Sequence, residues 1–170
     1  MFQGFKEAVL KKKLNQLLSQ ADSSRTPSSE KIKSIAIISN EDISTEIDLQ
    51  KEIEIILKAR NIKIYSLRKF NKSDKFSYKH FTKKNVNWKG QFTEENFKYF
   101  LEEPFDLLIG YFNKNNLYLE RAVLESKAEF KVGFTGVNSK LYEIEISEKI
   151  QNITGFTSEL KRYLQILKKL

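Results

Sequence analysis

Residues 105–110 read Phe105-Asp106-Leu107-Leu108-Ile109-Gly110, and residues 130–134 read Phe130-Lys131-Val132-Gly133-Phe134. Both runs are mostly apolar, which is typical of strands that are covered on both faces of a sheet. A helix is predicted between them, from about residue 116 to residue 127, with Leu119, Ala122 and Val123 on its inner face. The segment from 104 to 136 therefore predicts a βαβ unit, beside which the other elements can be placed.

The rest of the chain repeats this alternation of strands and helices. Further strands are predicted at residues 32–39, 62–66 and 141–146, and the first two enclose a helix that ends near residue 60. A last helix is predicted to begin at a Thr157 or Ser158 cap and to reach residue 170. Parallel strands joined by helices give a covered sheet with right-handed crossovers. We therefore predict a three-layer α/β fold, flavodoxin-like or Rossmann-like, with a mostly parallel five-stranded sheet in the order 2-1-3-4-5.

An extra amphipathic helix is predicted at the N-terminus, over residues 1–20. Four leucines, at positions 10, 14, 17 and 18, share one face, and Lys11, Lys12 and Lys13 fan around the helix beside them. The Ser-rich residues 21–31 are predicted to be a linker, and residues 32–170 a single α/β domain. Two interpretations of the helix stay open. It docks on a membrane surface, RNA or a partner protein, or it packs on its own domain.

Composition narrows the classes of function. The 170 residues include no cysteine and one histidine, which excludes a thiolate metal site, a cysteine nucleophile and any site with two histidine ligands from one chain. No apolar run approaches the roughly 18 residues of a spanning helix, and no signal peptide is recognised, so a cytoplasmic protein without a transmembrane segment is expected. The formal net charge of +8 favours an anionic partner, although a lysine-rich surface that only keeps the protein soluble is an open alternative.

A basic and aromatic segment, residues 67–92, interrupts the α/β pattern. It contains eight Lys or Arg residues against one acid, Asp74, and six aromatic side chains lie between them. Aromatic side chains among cations can stack on bases while the lysines hold phosphates. The alternative is that the aromatic residues anchor a loop to the core and the lysines face water. The candidate residues for binding an anionic partner, here and on the first helix, are Lys11, Lys12, Lys13, Lys69, Lys72, Lys79, Lys83, Lys84 and Trp88.

A second candidate site lies where the parallel strands end, because folds of this class bind ligands at the carboxyl ends of strands near the switch in strand order. The crevice predicted there is formed by Ser39, Asn40, Gly110, Tyr111 and Asn113. Neither glycine-rich phosphate motif, G-x-G-x-x-G or G-x-x-x-x-G-K-[ST], occurs in the chain.

Other chemistry has only weak signals in the sequence. Glu41 with Asp42 would be a carboxylate pair for a metal, His80 a base, and Gly133 to Gly136 a phosphate loop. Turn and capping roles are commoner for such residues. We therefore predict no catalytic residues, no metal site and no cofactor, and favour a protein without enzymatic activity.

Three short runs carry a resemblance to a known family. They are Asn87-Trp88-Lys89-Gly90, Phe105-Asp106-Leu107-Leu108-Ile109, and the longer run from Leu124 to Gly133, which contains Ser126-Lys127-Ala128 and Phe130-Lys131-Val132-Gly133. Together they resemble an uncharacterised family of small bacterial proteins, a domain of unknown function, over roughly residues 30–170 and more loosely at the first helix. The resemblance implies a bacterial, cytoplasmic protein of about this size, and it carries no activity or site residues.

These observations lead to one favoured function and two alternatives. The favoured function is a non-enzymatic binding or adaptor protein that contacts an anionic partner, RNA or a ribonucleoprotein. The first alternative is a small-molecule or nucleotide site in the crevice at the strand ends. The second is a membrane-surface protein, or a subunit of a protein complex, that docks through residues 2–19.

Overall fold

The computed structural model describes residues 2–21, 30–72 and 79–170. Most of the predicted linker therefore lies outside the described residues, as do Phe76 and Tyr78 of the basic segment. In chain order the helices and strands are α1 Phe2–Ala21, β1 Ser34–Asn40, α2 Glu41–Glu46, α3 Leu49–Leu57, β2 Asn61–Arg68, β3 His80–Thr82, α4 Glu95–Glu102, β4 Leu107–Tyr111, α5 Leu117–Glu125, β5 Phe130–Phe134, β6 Ile144–Ile146 and α6 Ile153–Ile166. A single 3₁₀ turn, Lys83–Asn85, follows β3.

The strands form one six-stranded sheet in the order β3-β2-β1-β4-β5-β6, and every pairing in it is parallel. This confirms the predicted α/β class, and the five predicted strands occur in the predicted order. The sixth strand, β3, is an addition at the edge, where His80 pairs with Ser66 of β2. With three residues, β3 is too short to show a strand pattern in the sequence.

Both faces of the sheet are covered. Helix α3 packs with α6, whereas α1 and α4 pack with α5. Residues 35–38 of β1 are fully buried, and so are all five residues of β4, which explains why their sequences are continuous apolar runs. The strands β1 and β4 are adjacent, with Ile35 opposite Leu107 and Ile37 opposite Ile109.

Several helix boundaries differ from the sequence predictions. The predicted helix after β1 is interrupted, because Asp48 caps a separate helix, α3, by accepting a hydrogen bond from the Lys51 backbone N–H at 3.2 Å. The last helix begins earlier than predicted, at an Asn152 cap that accepts from the Gly155 N–H. Thr157 is buried inside that helix, and its hydroxyl donates to the Ile153 carbonyl at 2.9 Å.

Helix α1 belongs to the same hydrophobic core as the sheet. Leu10, Leu14 and Leu18 are each at most 6% exposed, on the side of α1 that packs with α5. Gly90, in a turn near the end of the basic segment, also lies against α1: a Cβ placed there would lie 3.4 Å from Val9 and 3.6 Å from Leu10. The apolar face of α1 is thus covered by its own chain.

Of the helices in the described parts of the chain, none is both long enough and apolar enough to cross a bilayer.

Candidate functional site

A cavity of about 730 Å³ opens at the carboxyl ends of the strands, beside β1, where the strand order reverses. Its walls come from the ends of β1 and β2, the 3₁₀ turn after β3, the start of α5, and the first turns of α1. The lining residues are Gln3, Phe5, Lys6, Asn40, Glu41, Asp42, Leu67, Arg68, Lys69, Phe70, Lys83, Lys84, Val86, Trp88, Asn116 and Tyr118. We call this the strand-end cavity.

Positive charge dominates the strand-end cavity. Of the described residues that line it, five are cations, at positions 6, 68, 69, 83 and 84, against two carboxylates, Glu41 and Asp42. The Lys83 ammonium lies 3.8 Å from Glu7 on α1, but both side chains are well exposed, so this pair holds the lysine only weakly. The cavity is therefore suited to an anionic ligand.

Aromatic rings stand among these cations. The Lys84 ammonium lies 3.7 Å from the ring centre of Phe70, and that of Lys83 lies 5.1 Å from the ring centre of Tyr118. Trp88 is 67% exposed and Phe70 is 48% exposed, so both rings present surface to a ligand. A planar group that stacks on these rings would have its own negative charges close to ammonium groups.

Tyr118 supplies an unused polar group at the cavity wall. It is 2% exposed, and its hydroxyl has no hydrogen-bond partner in the part of the chain that the structure describes. Burial raises the pKa of Tyr118, and the negative charge of Glu7 raises it further, so the hydroxyl stays protonated near neutral pH. A buried, protonated hydroxyl without a partner is able to donate a hydrogen bond to a ligand.

Helix α1 helps to close the cavity. Its Lys6 ammonium donates a hydrogen bond to the Lys83 carbonyl, and burial lowers the pKa of Lys6. Phe5, one residue before, is 60% exposed although it lines the cavity. The start of α1 is thus held directly against the basic turn after β3.

Side-chain caps already hold part of the backbone at the helix starts around the cavity. Asn40 accepts a hydrogen bond from the Ile43 N–H at 3.0 Å, which caps α2. Asn116 caps α5 by accepting from the Tyr118 and Leu119 N–H groups, at 3.0 and 3.1 Å. These N–H groups are therefore not free for a phosphate, unlike those of glycine-rich nucleotide loops.

The nine predicted anion-binding residues fall into three groups. Four of them, Lys69, Lys83, Lys84 and Trp88, line the strand-end cavity. Lys72 and Lys79 are exposed but do not line it, and Lys79 borders a different cavity of about 400 Å³ between β2 and α4. On α1, Lys11 and Lys12 are exposed away from the cavity, whereas the half-buried Lys13 lies next to Gly90.

Of the five residues predicted at the crevice, Asn40 lines the strand-end cavity. Two others serve the core: the buried Ser39 hydroxyl donates to the Tyr111 carbonyl at 2.7 Å, and the Tyr111 hydroxyl donates to the Ile150 carbonyl at 2.8 Å. Gly110 lies against the Tyr142 ring, and Asn113 is exposed without lining the cavity.

The weaker signals in the sequence lead to no metal site. Within residues 2–21, 30–72 and 79–170, no three His, Asp or Glu side chains are grouped closely enough to hold an ion. Glu41 and Asp42 lie in the first turn of α2, where negative charge complements the helix dipole. Gly133 is packed against Tyr142 in the core, so it does not form a phosphate loop with Gly136.

Sequence reasoning missed the contributions of α1 and α5 to the site. Phe5, Lys6 and Tyr118 line the cavity, but none of them lies in a local pattern that marks a binding site. Arg68 and Phe70 were counted within the basic segment without being singled out. The recognisable signal was the alternation of cations and aromatic residues in the basic segment. That segment supplies much of the cavity wall.

Similarity to known proteins is limited to one family. No curated protein and no solved structure matches the chain. The model of a family of unknown function, DUF6913, matches residues 6–167, which run from the first turns of α1 to the end of α6. The predicted resemblance to an uncharacterised family is confirmed, and the match includes most of α1, where the resemblance was looser. The chain therefore belongs to DUF6913, a family of unknown function.

Proposed function

We propose that this chain binds a nucleotide unit, meaning a planar base together with its phosphate, in the strand-end cavity. The unit belongs either to single-stranded RNA or to a free nucleotide. The observation that carries the proposal is that, among the described residues, five cations and four aromatic rings line one cavity. This cavity combines part of the basic aromatic segment with Asn40 of the predicted strand-end crevice.

The size and chemistry of the cavity support this assignment. A volume of about 730 Å³ falls within the range of small-molecule sites, roughly 300–1,000 Å³. Exposed rings such as Trp88 and Phe70 offer surfaces on which any base can stack. The ammonium groups of Lys83 and Lys84 lie near aromatic rings, so a stacked base would bring its phosphate within their reach.

The alternative function, docking on a membrane surface or a protein complex through the N-terminal helix, has less support. Docking on a membrane or a partner would use the apolar face of α1, but Leu10, Leu14 and Leu18 on that face are buried in the core of this chain. The exposed face of α1 carries Lys11 and Lys12, whose charges alone favour no particular partner.

The proposed ligand also suggests where the protein acts. RNA and nucleotides are abundant in the cytoplasm, and a chain without cysteine is suited to a reducing compartment. We therefore keep the cytoplasm of a bacterial cell as the proposed location. Fractionation of cells that express the chain with a small tag tests this location. Recovery of the tag with the membranes would contradict it.

The proposal is tested by binding of labelled oligouridylate and of labelled ATP, at 50 and 200 mM salt. If about three phosphates are contacted, the slope for single strands predicts that affinity falls about 20-fold between these concentrations. The double variant Lys83→Ala/Lys84→Ala is expected to lose at least about 10-fold in affinity, because it removes two cations from the cavity.

The matched control is Lys11→Ala/Lys12→Ala. It removes the same charge from exposed positions of α1 outside the cavity, so affinity should change by less than about 3-fold. Absence of binding to both probes at 50 mM salt would refute the proposal. Equal losses in the two double variants would also contradict it, since binding would then follow net charge rather than the cavity.

A further inference from the structure

We infer that the ligand is single-stranded RNA rather than a free nucleotide, and that the strand leaves the cavity over the turn at residues 87–91, with its next base stacked on Trp88. This inference rests on the proposed function, because it extends the same site. It assigns Trp88 as a stacking platform and Lys13 with Lys89 as contacts for the strand outside the cavity.

The turn that carries Trp88 is held rigidly. The Asn87 side-chain oxygen accepts hydrogen bonds from the Lys89 and Gln91 backbone N–H groups, each at 3.0 Å. The Asn87 N–H donates to the Gln91 carbonyl at 2.9 Å, and Val86 and Phe92 form an antiparallel bridge at its base. Because these bonds fix the turn before any ligand binds, little conformational entropy is lost when a base stacks on it.

Gly90 fixes the same turn to α1. Its φ of +72° lies in the left-handed region, which lets the chain reverse there, and its Cβ position would lie 3.6 Å from the Lys13 side chain. The Trp88 ring nevertheless stays 67% exposed. A large ring that is held on a hydrogen-bonded turn, at the edge of a cationic cavity and beside Lys89, is available for a base to stack on.

Two further cations lie near Trp88 without lining the cavity. The Lys89 ammonium lies 5.2 Å from the Trp88 ring centre. Lys6 lines the cavity, and Lys13 follows on the same side of α1, about 10 Å further along the helix axis. Lys13 and Lys89 are not among the residues that line the cavity. In single-stranded RNA, bases and phosphates alternate. A strand that leaves the cavity would therefore place its next base on Trp88 and its next phosphates near Lys13 and Lys89.

Trp88 provides its own readout, because it is the only tryptophan of the chain. Tryptophan fluorescence is measured during titration with UMP, with the dinucleotide UpU and with the hexanucleotide of uridine. We expect stronger quenching by the dinucleotide and the hexanucleotide than by UMP. Trp88→Ala should weaken hexanucleotide binding about 10-fold, measured with a labelled strand, and should weaken UMP binding by a clearly smaller factor, since Trp88 also lines the cavity in which UMP would bind.

Two matched pairs of variants separate stacking and charge from general effects. Tyr99 is as exposed as Trp88, at 69%, but lines the other cavity, so Tyr99→Ala should leave hexanucleotide binding unchanged. Trp88→Phe keeps a smaller ring and should retain part of the affinity. Lys13→Ala should weaken the hexanucleotide and not UMP, whereas Lys12→Ala, at an exposed position about 100° around the helix from Lys13, should affect neither.

The outcomes distinguish this inference from the proposed function. If UMP quenches Trp88 as fully as the hexanucleotide does, or if Trp88→Ala weakens both ligands equally, the strand path is refuted while the nucleotide site stands. If Tyr99→Ala weakens hexanucleotide binding as much as Trp88→Ala, stacking at this turn is refuted as well. If neither ligand binds at 50 mM salt, the proposed function itself fails.

Discussion

Substitution of Tyr142 tests the packing at the ends of β4 and β5, where its buried hydroxyl group lies. The side chain is 5% exposed, and its hydroxyl has no hydrogen-bond partner among the residues that the structure describes. A Cβ on Gly110 would lie 2.3 Å from the Tyr142 hydroxyl oxygen, and one on Gly133 would lie 2.1 Å from the ring. Burial raises the pKa of Tyr142, and the charges of nearby carboxylates raise it further, so the group is a neutral, unpaired donor.

The expected effect of Tyr142→Phe is a gain in stability. A buried polar group without a partner costs about 1–3 kcal/mol, and the substitution removes that cost. Removal of the oxygen leaves a void about the size of one water molecule. At about 24 cal/mol per Å³, this void lowers the gain in stability by about 0.3 kcal/mol. The net gain in the free energy of unfolding is about 0.7–2.7 kcal/mol. For a chain of this length it would raise the Tm by about 1–11 °C.

Tyr111→Phe is the matched control and should have the opposite sign. Tyr111 is fully buried like Tyr142, but its hydroxyl donates to the Ile150 carbonyl at 2.8 Å. Loss of this bond should destabilise the protein by about 1 kcal/mol.

Urea unfolding followed by circular dichroism gives both values, and an unchanged m-value would show that the two-state comparison is valid. Destabilisation by Tyr142→Phe of the size seen for Tyr111→Phe would refute the reasoning, because the hydroxyl would then have a partner. Neither variant should alter ligand affinity, since neither side chain lines the strand-end cavity.

Three further predictions concern the framework of the site. Gly90→Ala should lower the free energy of unfolding by about 1–2 kcal/mol, measured in urea, because alanine is strained at a φ of +72°. Leu14→Ala should lower it by about 2–5 kcal/mol in the same assay, since Leu14 is 4% exposed in the contact of α1 with the core. Although burial acts to raise it, the pKa of Asp106 is lowered by hydrogen bonds from the Lys33 and Ser34 backbone N–H groups and the Ser34 hydroxyl. Its contribution to stability is therefore present above about pH 4 and lost as the pH falls through the lower pKa of the folded state. Asp106→Asn should accordingly show a smaller loss of stability between pH 5 and pH 2 in acid-unfolding curves than the parent chain.

The fold was largely predictable because its decisive elements carry local signals. The β1 and β4 strands lie at the centre of the sheet, and burial on both faces requires the continuous apolar runs from which they were recognised. Where the signal is weak, the prediction was wrong or incomplete. The edge strand β3 has three residues, and the α6 cap is Asn152 although Thr157 and Ser158 are equally good capping residue types.

The candidate site was predictable only in part, because its walls come from distant parts of the sequence. The cations of the basic segment were recognisable by composition, but Lys6 and Tyr118 reach the same cavity only through the packing of α1 on α5. Tyr111 illustrates the converse error. Its place at a strand end suggested a ligand contact, yet a carbonyl from the loop before α6 already accepts its hydrogen bond.

The capped helices determine how an anion would have to be held in this site. Asn40 and Asn116 cap α2 and α5, and Glu41 and Asp42 place negative charge where a phosphate would bind in glycine-rich nucleotide folds. Phosphates are therefore expected at Lys83 and Lys84, which line the same cavity and bind through flexible side chains. Recognition by ammonium groups is less geometrically selective than recognition by backbone amides or by arginine, and it depends strongly on salt. Carboxylates accept hydrogen bonds from hydroxyl groups, so Glu41 and Asp42 would face the sugar of a ligand whose phosphates lie on the lysines. Such a site favours affinity for many sequences over selectivity for one nucleotide, in accord with a strand that continues over Trp88.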